Sequence, residues 1–287
     1  MGWRHWAAKA AASKTGLASL AAGALIALGG VAISLPASSQ ISGTKHNLGA
    51  SGTGINKFSG TTEICVFCHT PHGADTSAAV PLWNRNIGAR GPYQTYDSLG
   101  TSSLDGKMAP VGSVSIACLS CHDGVTSMST VINAPGSGGF NPAGAAMTGT
   151  WSGANQTGGT LGVAGQITNI GTDLRNDHPV GIQYGGGGLS TTRTVGATND
   201  ADFRAPSTAV INGTQIWWVD TAIGGSTARQ KTDIQLYTRA AGAGYVGQTV
   251  PEPFVECASC HDPHTSNTTF LRIENTSSAV CLACHIK

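Results

Sequence analysis

The sequence predicts a mostly irregular, loop-rich fold with short helices and few strands, in which ordinary side chains do not supply the whole core. Three observations lead there. Glycine fills 40 of the 287 positions. Past the N-terminal segment, no run of ten or more residues keeps a convincing 3.6-residue apolar period. All eight cysteines fall into four pairs at one internal spacing, with none left over.

In chain order, residues 1–39 read as a secretory signal peptide. Arg4, Lys9 and Lys14 give a basic start, Leu17 to Leu35 is almost wholly Leu, Ala, Ile, Val and Gly, and Pro36-Ala37-Ser38-Ser39 offers small residues for cleavage. A retained anchor is the alternative, because ~19 apolar residues can just span a bilayer. The alanine and glycine content and the small-residue exit favour cleavage, so no retained membrane anchor is expected.

Residues 40–130 form a first unit with two cysteine pairs, 131–172 a Gly/Ala/Thr-rich connector, and 173–287 a second unit with an inserted segment at 185–250. Asn133 to Thr172 carries only isolated apolar residues, as does Gly185 to Thr198. Within the latter, Gly185 to Gly188 reads equally as a solvent-facing insertion or as backbone in close contact. Strand material is confined to Ala209-Val210-Ile211 and Gln215-Ile216-Trp217-Trp218-Val219, bounded by Asn-Gly and Asp.

The pairs are Cys65 and Cys68, Cys118 and Cys121, Cys257 and Cys260, and Cys281 and Cys284. Each is followed at once by a histidine, in CVFCH, CLSCH, CASCH and CLACH. This is the c-type haem attachment motif. Two thiols on one short turn form thioethers to the vinyl groups of a haem, and the adjacent imidazole sits beneath the ring as a ligand to iron. A disulfide scaffold or a four-thiolate zinc site leaves a histidine after every second cysteine unexplained. The expected cofactors are four covalently bound haem c groups, with His69, His122, His261 and His285 as proximal ligands. The fold expected is therefore a loop-rich multihaem cytochrome c with a haem-centred core, in which glycine lets the backbone approach flat rings.

Of nine histidines, four are proximal ligands and His5 leaves with the signal. His46, His72, His178 and His264 remain, one distal ligand per haem. Met108, Met128 and Met147 are the alternatives, lying in loop-like sequence where an apolar contact to a haem edge suits them better. Two imidazoles make iron six-coordinate at relatively low potential and leave no open position for substrate. Electron transfer, not catalysis, is expected.

The binding elements repeat. His46-Asn-Leu-Gly, CVFCHTPH and CLSCH correspond to His178-Pro-Val-Gly, CASCHDPH and CLACH. Within CHxPH the chain is too short to pass around a ring, so His72 and His264 are expected on neighbouring haems, with Pro71 and Pro263 stiffening the link.

Once the signal is removed, thirteen of the sixteen basic residues face fifteen acidic ones, and haem propionates would add negative charge. No polybasic run remains, which excludes nucleic acid as a partner.

CVFCHTPHG, CLSCHDG, DHPVG, CASCHDPH and CLACH resemble the doubled-CxxCH family of multihaem cytochromes. The four-haem order is similar to that of outer-surface cytochromes of metal-reducing bacteria, including the filament-forming outer-membrane cytochrome E group. The resemblance covers Lys45 to Gly124 and Asp177 to Lys287. It implies closely packed haems in one conducting chain, continued in some relatives by end-to-end polymerisation with an axial histidine taken from the adjacent subunit. Here the matching candidates are His46 and His178, and His46, on the Gly/Ser-rich arm Ser42 to Gly60, is the favoured one. The expected partners are further copies of the chain joined head to tail, redox protein donors and extracellular metal acceptors. The expected location is extracellular or cell-surface, with the periplasm as the alternative.

Overall fold

Val, Thr, Ile and Trp alternate on either side of Asn212-Gly213, and in a computed structural model of the chain this segment is a β-hairpin. The structure describes residues 39–88, 90–189, 198–221, 228–240, 242 and 250–286. The signal peptide expected over 1–39 lies, but for Ser39, outside the described residues. Among the latter, no helix is long and apolar enough to cross a membrane.

The hairpin pairs β6 (Ser207–Ile211) with β7 (Thr214–Val219). Asn212 and Gly213 both have positive φ, 50° and 77°, the backbone that a tight two-residue hairpin turn requires. Three further strands extend it: β8 (Ile234–Arg239), β9 (Glu252–Val255) and β5 (Ile182–Gln183). The result is a five-stranded antiparallel sheet in the order β5-β9-β8-β7-β6. Two smaller antiparallel pairs join β1 (Lys57–Phe58) to β4 (Trp151–Ser152), and β2 (Thr130–Asn133) to β3 (Phe140–Ala146).

These sheets overturn the loop-rich, strand-poor fold expected from the sequence. β9 was hidden by Pro251 and Pro253, residues that normally argue against a strand inside a sheet. Here β5 runs beside Val255 and Phe254 only, so at Pro253 the ladder has a neighbour on one side alone. β3 lies within the segment 131–172. Seven residues rich in glycine and alanine form a mostly exposed strand because β2 supplies its ladder, with a register shift between Val131 and Asn133.

Side chains also build more core than a haem-centred fold implies. Tyr184, Leu189, Trp217, Val219, Ile234, Leu236, Val255 and Ala283 form one buried cluster over the large sheet. A second gathers Leu48, Phe58, Phe67, Met128, Val131, Met147 and Leu161, and a third centres on Trp83, Ile87 and Ile116. Motif cysteines pack against all three: Cys284 on the first, Cys68 and Cys121 on the second, and Cys68 again on the third.

Gly185 to Gly188 is no solvent-facing insertion. Its four residues have φ between 56° and 86°, and Gly185 is buried beneath Thr198. A Cβ on Gly185 would stand 2.4 Å from Thr198 Cγ2. Gly185→Ala therefore combines left-handed strain of ~1–2 kcal/mol with overpacking of ~1–3 kcal/mol, and about 2–5 kcal/mol of destabilisation is expected. Gly213→Ala meets nothing within 4 Å and should cost only the ~1–2 kcal/mol of backbone strain. Denaturant unfolding of the two variants compares them directly.

Candidate haem-binding centre

A four-residue helix cannot hold itself together, since nucleation fixes several residues for one hydrogen bond. All four CxxCH motifs nevertheless sit on short helical turns: a 3₁₀ turn at Cys65–Phe67, α2 (Ser115–His122), α3 (Cys257–Cys260) and α4 (Ala279–Cys284), after a short N-terminal α1 (Ser39–Ser42). In three motifs the histidine amide closes the turn on the first cysteine carbonyl: His69 to Cys65 at 2.8 Å, His261 to Cys257 at 3.1 Å and His285 to Cys281 at 2.9 Å.

Helix termini leave carbonyls without partners, and in every motif a side chain from elsewhere donates to them. Asn84 Nδ2 reaches Val66 O at 2.6 Å, and Arg85 Nη2 reaches Ser120 O at 2.8 Å. Arg272 reaches Ala258 O at 2.9 Å and Ser259 O at 3.1 Å, and Arg204 Nε reaches Leu282 O at 3.0 Å. Three of these residues also give their backbone N–H to the second cysteine: Asn84 to Cys68, Arg272 to Cys260 and Arg204 to Cys284, at 2.8–2.9 Å. The residue before each forms an antiparallel bridge with the motif histidine, in the pairs His69–Trp83, His261–Leu271 and Phe203–His285. A returning segment thus clamps each of these three motifs in the same way. Sequence reasoning missed Asn84, Arg85, Arg204 and Arg272. The only trace is an apolar residue followed by Asn or Arg at Asn84, Arg204 and Arg272, which is too common to signal anything, and Arg85 follows Asn84 with no such mark.

The imidazoles are oriented as well. Nδ1 of His69 pairs with Pro81 O, that of His122 with Thr168 O and that of His261 with Thr269 O, each at 2.8 Å. A ring that donates Nδ1–H to a carbonyl presents the Nε2 lone pair outward, as a metal ligand does. The Thr269 carbonyl is held by strain, since Thr269 and Phe270 have φ of 52° and 58°, a region that non-glycine residues seldom occupy.

The expected distal histidines are distributed as follows. His264 faces His69, with ring centroids 6.2 Å apart and planes 15° from parallel. His46 faces His122 at 6.4 Å and 69°, and stacks on Phe270 at 4.1 Å and 10°. His178 is near enough to His285 to feel its charge, although burial is the larger cause of its lowered pKa, and its Nδ1 pairs with Pro179 O at 3.1 Å. His72 stands exposed beyond the first motif. Among the methionines, Met128 and Met147 are buried in the second apolar cluster, and Met108 bridges to Ile182.

The electrostatics favour neutral groups. Burial first, and then His122, push His46 down to about 4, against a weaker opposing effect of the Pro263 carbonyl. Burial likewise lowers His122. A neutral ring is the form that donates a lone pair to metal. Burial raises the thiols of Cys68 and Cys284 to about 12 and that of Cys260 to about 11. Among the described residues, no group of three or more His, Cys, Asp or Glu is arranged to hold a metal ion. Haem iron asks less of the chain, because the porphyrin supplies four of its ligands.

The second and third motifs meet at their starts. Cys118 and Cys257 hydrogen-bond through their thiols, which raises the first and lowers the second. Buried Ser115, on α2, donates to Glu256 at 2.5 Å and accepts the Cys257 amide at 2.9 Å. Arg239 closes the group with a 2.7 Å bond to Glu256.

Paired thiols on one turn, an adjacent imidazole with its Nδ1 occupied, and a second imidazole opposite make a donor set that fits haem c. A family model described as the doubled CXXCH motif matches residues 252–287, which span β9 and the third and fourth motifs. No curated protein matches the chain. The matched segment carries a haem c attachment motif consistent with a c-type cytochrome, and covalent haem c binding follows for this part of the chain.

Proposed function

We propose that this chain is an exported tetrahaem c-type cytochrome that transfers electrons and is not a catalyst. The observation that carries the reading is that four CxxCH turns consume every cysteine, and each has its carbonyls met by a side chain from outside the motif. Cys65, Cys68, Cys118, Cys121, Cys257, Cys260, Cys281 and Cys284 would hold four haems, with His69, His122, His261 and His285 proximal and His46, His72, His178 and His264 distal. Haem c held in this way supplies a one-electron iron couple. Carbonyls of the chain occupy Nδ1 of His69, His122, His178 and His261 and so leave Nε2 toward iron, and burial favours the neutral ring at His46, His122 and His178. Fixed ligands that need not rearrange suit electron transfer.

The same proposal includes its setting. Redox proteins would be the donors, extracellular metal the acceptor, and the cell surface or exterior the location, as in the outer-membrane cytochrome E group. Self-association head to tail belongs to it too. Leu282 and Ile286, on either side of the last motif histidine, are 43% and 54% exposed, an apolar surface that a second copy could cover. His46 faces His122 of its own chain, so this joint does not call on it.

Intact mass of the acid-denatured protein is expected to show four haems per chain, because thioethers survive unfolding. A reproducible smaller number in matured protein would overturn the tetrahaem reading. Absence of a spectral change with carbon monoxide is expected on reduction, since no iron lacks its sixth ligand.

A further inference from the structure

Two pairs of histidines from distant parts of the chain face one another at nearly the same spacing. Two imidazoles on opposite faces of one iron, each at the ~2 Å metal–nitrogen distance with its ring centre roughly 1.1 Å further out, have centroids about 6.3 Å apart. His69 and His264 stand at 6.2 Å, and His122 and His46 at 6.4 Å. The first pair is nearly parallel, 15° between planes, and its rings stand well beyond the 4.1 Å contact of His46 with Phe270.

The surroundings fix these rings by other atoms. His69 and His122 spend Nδ1 on the Pro81 and Thr168 carbonyls. His264 is braced by buried Asp262, whose Oδ1 accepts its backbone N–H at 2.9 Å and lies 3.2 Å from its Nδ1. The plane of His46 is set by Phe270, on the returning segment of the third motif, with the Pro263 carbonyl also acting on the ring.

Resting on the four-haem reading above, we infer that His264 is the sixth ligand of the haem held by Cys65, Cys68 and His69, and His46 that of the haem held by Cys118, Cys121 and His122, with imidazole planes near-parallel in the first and crossed in the second. The third motif and its returning segment thereby govern both haems of the first unit, closing one with His264 and orienting the ligand of the other through Phe270. Since His178 neighbours His285, His72 is left for the haem at His261, and the two CHxPH runs exchange their second histidines.

The angle between planes is measurable. Parallel imidazoles act on one iron d orbital and split it from its partner, giving a rhombic low-spin ferric spectrum. Crossed imidazoles act on both orbitals equally, giving a single feature at the highest g value. Electron paramagnetic resonance of the oxidised, haem-loaded full chain should contain both classes, and a spectrum with one class alone overturns the inference without any variant. His264→Ala should convert one haem equivalent from the rhombic class to high-spin, and His46→Ala one equivalent from the high-g class. Added imidazole should restore low-spin iron in both. Exchange of the two losses between the variants, or no high-spin signal in either, would also overturn it. Intact mass separates the two levels: fewer than four haems in the unsubstituted protein defeats the tetrahaem reading, whereas four haems with the wrong spectral classes defeats only the pairing.

Discussion

Arg85→Met is expected to destabilise the haem-loaded protein by about 3–5 kcal/mol, a large share of the ~5–15 kcal/mol that holds a typical domain together. Arg85 is 1% exposed and has no acidic partner among its hydrogen bonds. Its guanidinium instead donates to Ser120 Oγ at 3.1 Å, Met128 O at 2.9 Å, Ser120 O at 2.8 Å and Ser127 O at 2.9 Å. Removing it strands several buried acceptors at ~1–3 kcal/mol each, partly offset because methionine need not be desolvated as a cation. Ser120 lies in the last turn of α2, where positive charge also complements the helix dipole. Denaturant unfolding measures the loss. Arg85→Lys should recover part of it, since a single ammonium keeps the charge but cannot span the same carbonyls. A change under 1 kcal/mol for methionine would mean that the guanidinium does not hold this motif.

Replacing Cys257 and Cys260 together by serine is expected to leave three haems on the chain, a difference of one whole group by mass. The structural effect should be larger than one lost cofactor suggests. The Cys257 amide rests on Ser115 of the second motif's helix, which also donates to Glu256, and the neighbouring His264 stands against His69 of the first. Loosening of the third motif should reach both haems of the first unit, seen as increased high-spin iron. The matching substitution of Cys281 and Cys284 should also remove one haem but leave those two unchanged.

The residues that carry chemistry could be read from the sequence because covalent attachment demands a local pattern. Thiols and imidazole must lie on one turn, and the family match over 252–287 falls on two of the four copies. The hairpin could be read as well, since Asn212-Gly213 forces its own geometry. What lay hidden depends on neighbours that sequence does not supply. Ile234 to Arg239 becomes β8 because β7 and β9 flank it, and Pro253 is tolerated because β5 ends beside it. Phe140 to Ala146 has too little apolar surface to announce a strand and forms one only beside Thr130 to Asn133. Histidine pairing is hidden for the same reason, because His46 and His264 meet partners far along the chain. His46, expected on a Gly/Ser-rich arm, has its ring near those of His122 and Phe270.

The donors that clamp the motifs differ in how far the chain must travel to deliver them. Arg272 lies 14 residues from Ala258 and Asn84 lies 18 from Val66, but Arg85 is 35 from Ser120 and Arg204 is 78 from Leu282. Loop-closure entropy rises with the logarithm of that distance, so closing the longest loop costs about 1.5 kcal/mol more than closing the shortest. The first and third motifs can therefore form as local nuclei, while the second and fourth wait for long-range contacts. On this account the polypeptide matures in alternation, with each two-motif half starting from its own early site and the terminal turn at Cys281–Cys284 closing on a sheet already assembled.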